Sequence, residues 1–334
     1  VTTPFRRVVD TVEWMTAVVT MSVELELGWG VHDLDEHADH LTEDGREERR
    51  FLRRLLDVCD ETGVAMTFDV VDHLLLTACD GHHDGPYPEG WFDADPGTDV
   101  AVDPLFYAPD VVEAIRDRPT EHELCTHSFS HTPLETVDAA AVSADLERGQ
   151  QLEADVLGQR SRSFVPPRHR PPPSDVLVDR GIDVVRIAIM NQADNPVRRA
   201  GQLLFGPPPM RDPEWIDGVL WTYCSTHPNL TAPSLPSGQR PAGRPLGWLP
   251  TGLAQRLHLQ YLERATLRAI ENDEHLHLWC HLYDLSNERQ MAPVSEYLQT
   301  LARLREQGRV EVCTMDELPD RYPAAVESSA PPGE

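Results

Sequence analysis

The chain predicts an α/β fold assembled from parallel β-α units. Two observations carry this: about seven short strand-like runs alternate with amphipathic helical stretches, and the long helical stretches separate almost every pair of strands. Either a closed barrel or an open doubly wound sheet satisfies that alternation. No G-x-G-x-x-G and no G-x-x-x-x-G-K-[ST] follows the first strand, which weakens the nucleotide-binding open sheet. In a parallel barrel the functional groups gather at the C-terminal strand ends.

AVVTMSVELEL (17–27) reads as the first strand, and REERRFLRRLLDVCDETG as an amphipathic helix stopped by Gly63. VAMTFDVV (64–71) is the second strand. Residues 80–109 are rich in Gly, Pro and Asp and form a long irregular excursion, of the kind that usually serves function. A short helix, PDVVEAIRDR, leads to the strand EHELCTHS. The helix DAAAVSADLERGQQLEADVLG, the strand SRSFVPP, the helix SDVLVDRG and the strand IDVVRIAI follow. A second excursion, 190–250, holds one strand candidate, VLWTYCS (219–225). The helix GLAQRLHLQYLERATLRAIEND, the strand HLHLWCHL, the helix PVSEYLQTLARLREQG and the strand RVEVCT complete the pattern. The expected organisation is an N-terminal extension (1–14), one catalytic domain (15–323) and a disordered tail (324–334).

At 334 residues and 40% apolar composition the chain can bury a full core. Its longest apolar stretches are too short to cross a bilayer, and the N-terminus lacks an apolar leader segment, so a soluble, cytoplasmic protein is expected. The net charge is -27, and all 29 basic residues are arginine. Such acidity repels nucleic acid and anionic membranes, which argues against both as partners. Acidity without lysine also resembles the proteins of salt-in halophilic archaea, where molar salt shortens the screening length to about 3 Å. The lack of lysine excludes Schiff-base and Walker-type phosphate chemistry. Six scattered cysteines without a C-x-x-C pair read as reduced core thiols. The oligomeric state is not encoded in any of these features.

Candidate chemistry centres on HSFSH, where His127 and His131 stand four apart just after a strand. On one helical turn they would share a face and could share a divalent ion such as zinc. His277 and His281 repeat the spacing. Ser22, Glu24 and Glu26 share one face of the first strand, and two carboxylates so close need a cation or an arginine between them. His281 ends a strand and suits general acid or base work. Trp279, of the same parity, offers a flat surface to a sugar ring or fills the core. Arg168 and Arg170 lie in a proline-stiffened loop and could orient an acid by paired hydrogen bonds. Asp69, inside VAMTFDVVD, is a rival acid. CDGHHDG (79–85), with Cys79, His82, His83 and Asp84, reads as a polar turn, a second metal site being the alternative.

Taken in order, SVELELGWG, HSFSH, SFVPPRHR and LHLWCHLYDL resemble the motifs of the polysaccharide deacetylase family of carbohydrate esterases, across roughly residues 15–320. The resemblance implies a distorted (β/α)7 barrel and a metal-dependent hydrolase that removes an acetyl group from an N-acetylated sugar or glycan. His127 and His131 would hold one divalent metal ion, zinc by preference, together with Glu26. Glu24 would be the base, His281 the acid, and Arg168 the activating arginine, because Val165 stands where the family has that residue. Asp69 and Trp279 would touch substrate. The pair Glu24 and Glu26 replaces the family's adjacent aspartates.

Overall fold

The computed structural model describes residues 16–34, 40–189, 201, 206–225, 229–242 and 246–324. The expected N-terminal extension, the tail beyond its first residue and part of the second excursion lie outside the described residues. β1 (Ala17–Leu25) hydrogen-bonds in parallel to β2 (Thr67–Val70) on one side and β8 (Leu276–His281) on the other. The ladder runs on through β3 (Glu123–Thr126), β4 (Ser163–Phe164), β5 (Val184–Ile189) and β7 (Val219–Ser225), and β7 returns to β8. Seven parallel strands therefore close a barrel, so the open-sheet alternative is excluded. β9 (Val310–Cys313) pairs with the first half of β1 below β2. β4 is only two residues long because the prolines that follow it cannot donate to a ladder.

One strand lay unseen in the sequence. β6 (Glu214–Ile216) runs antiparallel to β7 through a two-residue turn, Asp217–Gly218. Both turn residues have positive φ, 48° and 87°, as a type I′ hairpin requires.

Alternation along β1 sorts its side chains into two environments. Val19, Met21, Val23 and Leu25 point outward and pack in one cluster with Phe51, Leu52, Leu55 and Leu56 of α1 (Arg46–Thr62). α1 stops at Gly63, whose left-handed conformation (φ 60°) caps the Cys59 carbonyl. The other α-helices with described bounds are α2 (Pro109–Arg116), α3 (Ala139–Leu157), α4 (Ser174–Asp179), α5 (Thr251–Asn272), α6 (Leu282–Leu285), α7 (Glu288–Glu306) and α8 (Leu318–Arg321).

The barrel interior changes character along its axis. Its lower end is plugged by Cys125, Val165, Val184, Leu220, Cys313, Met315 and Leu318. Above the plug the fill is polar: Ser22, Asp69, Arg186, Thr222 and His277 are all at or below 3% exposure. Buried polar groups are usually paired: Ser22, Arg186, Thr222 and His277 hydrogen-bond to one another or to Glu24, whereas among the described residues neither Asp69 oxygen has a hydrogen-bond partner and the ion pair to Arg186 alone meets its charge.

Candidate active site

Strand register sets the first part of the site. Glu24 stands level with Asp69 on β2 and with His281 on β8, so three ionisable groups lie abreast near the C-terminal strand ends. Arg186, from β5, reaches across the barrel to this row. One of its terminal nitrogens pairs with Glu24; the other lies 2.7 Å from Ser22 Oγ and 3.3 Å from Asp69 Oδ2. Its guanidinium also sits 5.0 Å above the Trp279 ring.

Glu26 lies just past the end of β1, where the chain enters a short 3-10 turn, Leu27–Gly30. A Cβ on Gly30 would fall 2.1 Å from Glu26 Oε2, so only glycine leaves the carboxylate its place. Oε1 of Glu26 is 3.1 Å from His127 Nε2 and 3.0 Å from His131 Nε2. The two imidazoles do converge, but not on a helical turn as their spacing suggested. HSFSH is a loop, with Ser128 and His131 at positive φ. It is folded by Asp145, which accepts the N–H groups of Phe129 and Ser130, and by Ser128 Oγ, which accepts that of His131.

His127 Nδ1 donates to the Val165 carbonyl at 2.6 Å. A carbonyl only accepts, so Nδ1 carries the proton and the neutral ring turns a lone pair toward Glu26. Two imidazole nitrogens facing one carboxylate oxygen at about 3 Å need a shared cation or an extra proton. One oxygen and two nitrogens within 4.8 Å of one another fit a divalent metal. A second grouping, Glu24, Glu26 and His281, is less suited because Arg186 already neutralises Glu24.

His281 Nε2 is 3.0 Å from Glu24 Oε2, and its Nδ1 is 3.0 Å from Asp284 Oδ2. The ring stacks on Tyr283 and is the more exposed member of the site, at 21%. Burial alone would raise the Glu24 pKa; Arg186 and then His281 overturn that and hold the carboxylate well below its usual range. Burial would lower His281, yet Glu24 and Glu26 push it well above the ordinary histidine value. Asp69 is raised to about 7 by burial, with Arg186 opposing and Glu24 assisting.

Three expected roles meet different surroundings. Arg168 lies at the rim, paired to Asp33 at 2.6 Å, and the arginine on Glu24 is Arg186 instead. Trp279 is 2% exposed, covered by Arg186 and by the His169 ring edge at 4.7 Å, so it presents no open face to a sugar. Asp69 is fully buried at the level of Glu24, with its charge turned to Arg186 and not to solvent. His277 and His281 cannot share an ion, because four residues of strand span about 13 Å; His277 bonds Ser22 and Thr222 instead. Sequence reasoning missed Arg186 and Asp284. The signal for Arg186 was a single arginine inside the apolar strand IDVVRIAI.

The fold is a (β/α)7 barrel of the polysaccharide deacetylase type. Residues 38–176 match the polysaccharide deacetylase family model. Among curated proteins, none matches the chain by sequence. Similar solved structures include a protein of Mycobacterium smegmatis assigned as a polysaccharide deacetylase (15% identity, TM-score 0.60, 92% of this chain and 91% of that one). Another is from Pseudomonas aeruginosa PAO1, with the same assignment (13%, TM-score 0.56, 92% and 91%). Puue allantoinase is a third (11%, TM-score 0.56, 92% and 90%). Among the described residues no helix is long and apolar enough to cross a membrane.

Proposed function

We propose that the chain is a metal-dependent hydrolase of the polysaccharide deacetylase family that removes acetyl groups from an N-acetylated sugar or glycan. The observation that carries the reading is the convergence of His127, His131 and Glu26 at the barrel mouth, with Glu24 and His281 alongside. Glu26, His127 and His131 would hold a divalent metal, zinc by ligand type. When bound, that metal supplies carbonyl polarisation and a water of lowered pKa. Glu24 takes the proton of the attacking water, and Arg186 keeps its carboxylate ionised and aimed. His281 gives a proton to the departing amine, its ring held by Asp284.

Supporting the reading are the family-model match over 38–176 and the two similar structures assigned as deacetylases. The lysine-free acidic composition supports a salt-rich working environment, so assays belong in high salt. Glu24→Gln keeps its metal and loses acetate release from N-acetylhexosamine oligomers by at least about a hundredfold; Glu26→Ala loses the metal itself. The second reading, hydrolysis of a cyclic amide, has the allantoinase likeness in its favour. Turnover of cyclic amides without acetate release selects it, and sugar binding without turnover of either substrate refutes both.

A further inference from the structure

The excursion that follows β2 does not close as a simple polar turn. His73, in the single 3-10 turn Asp72–Leu75, points its Nε2 at a cluster with Cys79, His83 and Asp95. Six distances join the four ligand atoms. His73 Nε2 is 3.2 Å from His83 Nε2, 3.1 Å from Asp95 Oδ2 and 3.9 Å from Cys79 Sγ. His83 Nε2 is 2.6 Å from Asp95 Oδ2 and 3.6 Å from Cys79 Sγ, and that sulfur is 3.2 Å from Asp95 Oδ2. Tetrahedral zinc, with bonds of about 2.0–2.3 Å, sets such edges at roughly 3.3–3.6 Å. His82 and Asp84, of the same sequence run, are exposed and stand apart from the cluster.

We propose that His73, Cys79, His83 and Asp95 form a second metal site, a closed tetrahedral zinc site separate from the catalytic one. The groups that hold the four ligands agree. His73 Nδ1 faces the Phe106 carbonyl at 3.3 Å, which puts the proton there and the lone pair of Nε2 toward the centre. Asp95 Oδ1 is occupied by the Tyr107 hydroxyl (2.6 Å) and Gly97 N–H (3.0 Å), leaving Oδ2 for the ion. The side chains of His73, His83 and Asp95 are at most 1% exposed, and the rings of Trp29, Phe92 and Phe129 surround the two imidazoles. A thiolate with two imidazoles and a carboxylate is a donor set for zinc, and four protein ligands leave no position for substrate. Without an ion, the His73 lone pair faces the Asp95 carboxylate at 3.1 Å unopposed.

One contact must change on loading. Arg148 Nη2 lies 2.9 Å from His83 Nδ1, an atom that carries the proton when Nε2 binds metal. Arg148 then rests on the Asp84 carbonyl, which its other terminal nitrogen already reaches at 3.2 Å. The consequence for the enzyme is positional. The ion fastens residues 79–95 to the barrel wall beside β2, and this segment carries Trp91, whose indole N–H donates to the Ser130 carbonyl inside HSFSH at 2.8 Å.

The test uses cobalt, because a thiolate ligand gives Co(II) a charge-transfer band that histidine and carboxylate ligands do not. Metal-stripped full-length protein reloaded with Co(II) alone should show the thiolate band and bind two equivalents. The band should persist in His127→Ala, which removes one equivalent, and vanish in Cys79→Ala, which removes the other. Should Cys79→Ala not fold, Asp95→Asn keeps the thiolate and is expected to shift the band. A wild-type protein without the band, or a band unmoved in every variant of the four ligands, overturns the proposal while leaving the catalytic reading intact.

Discussion

Arg186 is the residue whose removal tests the polar barrel interior most directly. Its side chain is fully buried between Glu24, at 3% exposure, and Asp69, at 0%. Arg186→Met keeps most of the volume, leaves Asp69 with no cation and leaves Glu24 with His281 alone. Breaking a buried ion pair from one side costs about 3–5 kcal/mol, because the remaining charge is neither solvated nor paired. The two acids share that penalty unequally. Asp69, already raised to about 7, can shed its charge by binding a proton; Glu24, held low by the same arginine, loses most. Adding Asp69→Asn to Arg186→Met removes the like charge beside Glu24 and should return about 1–2 kcal/mol. Urea unfolding of the four chains of this cycle, followed by tryptophan fluorescence, measures both quantities. A single change costing under about 1 kcal/mol, or a double variant no more stable than Arg186→Met, would refute the account of Arg186 as the neutralising charge.

Gly30→Ala should weaken binding of the metal proposed for Glu26, His127 and His131 by about tenfold or more with the fold intact, since the new Cβ displaces Glu26; competition with a chelator reads this against unchanged circular dichroism. Acid should destabilise the protein through its neutral buried histidines. Burial lowers His258 to about 4 and His275 to about 3, against about 6.5 in the unfolded chain. The unfolded state then binds protons that the folded state refuses. Their contribution is complete above pH 6.5 and is lost as pH falls toward 4, by up to about 3 kcal/mol for His258. Melting curves between about pH 8 and pH 4.5 should show a shallower decline in His258→Gln than in the parent.

The barrel was legible because its strands and helices keep separate periods, and because Gly63 and the proline runs mark where elements stop. The carboxylates of Glu24 and Glu26 were legible for a related reason: a strand buried on both faces has no use for glutamates unless they are partnered. What stayed hidden depends on contacts between distant strands. Nothing in IDVVRIAI says that Arg186 faces Glu24 across the barrel; that follows only from closure. Position in sequence favoured Arg168 because it follows the paired prolines, yet Asp33 holds it at the rim. The cluster of His73, Cys79, His83 and Asp95 was half visible. Cys79 and His83 lie in one short run, but Asp95 comes twelve residues after His83 and His73 belongs to what reads as an apolar stretch. The hairpin at 217–218 was fully signalled by Asp-Gly between apolar runs, and was missed amid the surrounding glycines and prolines.

The orientation of His127 depends on a carbonyl and not on a side chain. Any residue that keeps the backbone in place at position 165 supplies the same acceptor, so mutation there is silent toward the imidazole. That freedom is compatible with valine at position 165, and the cation beside Glu24 comes from Arg186 on β5. A contact made through the backbone leaves no mark in the linear sequence, so a template of atoms would register this arrangement where a string of letters does not.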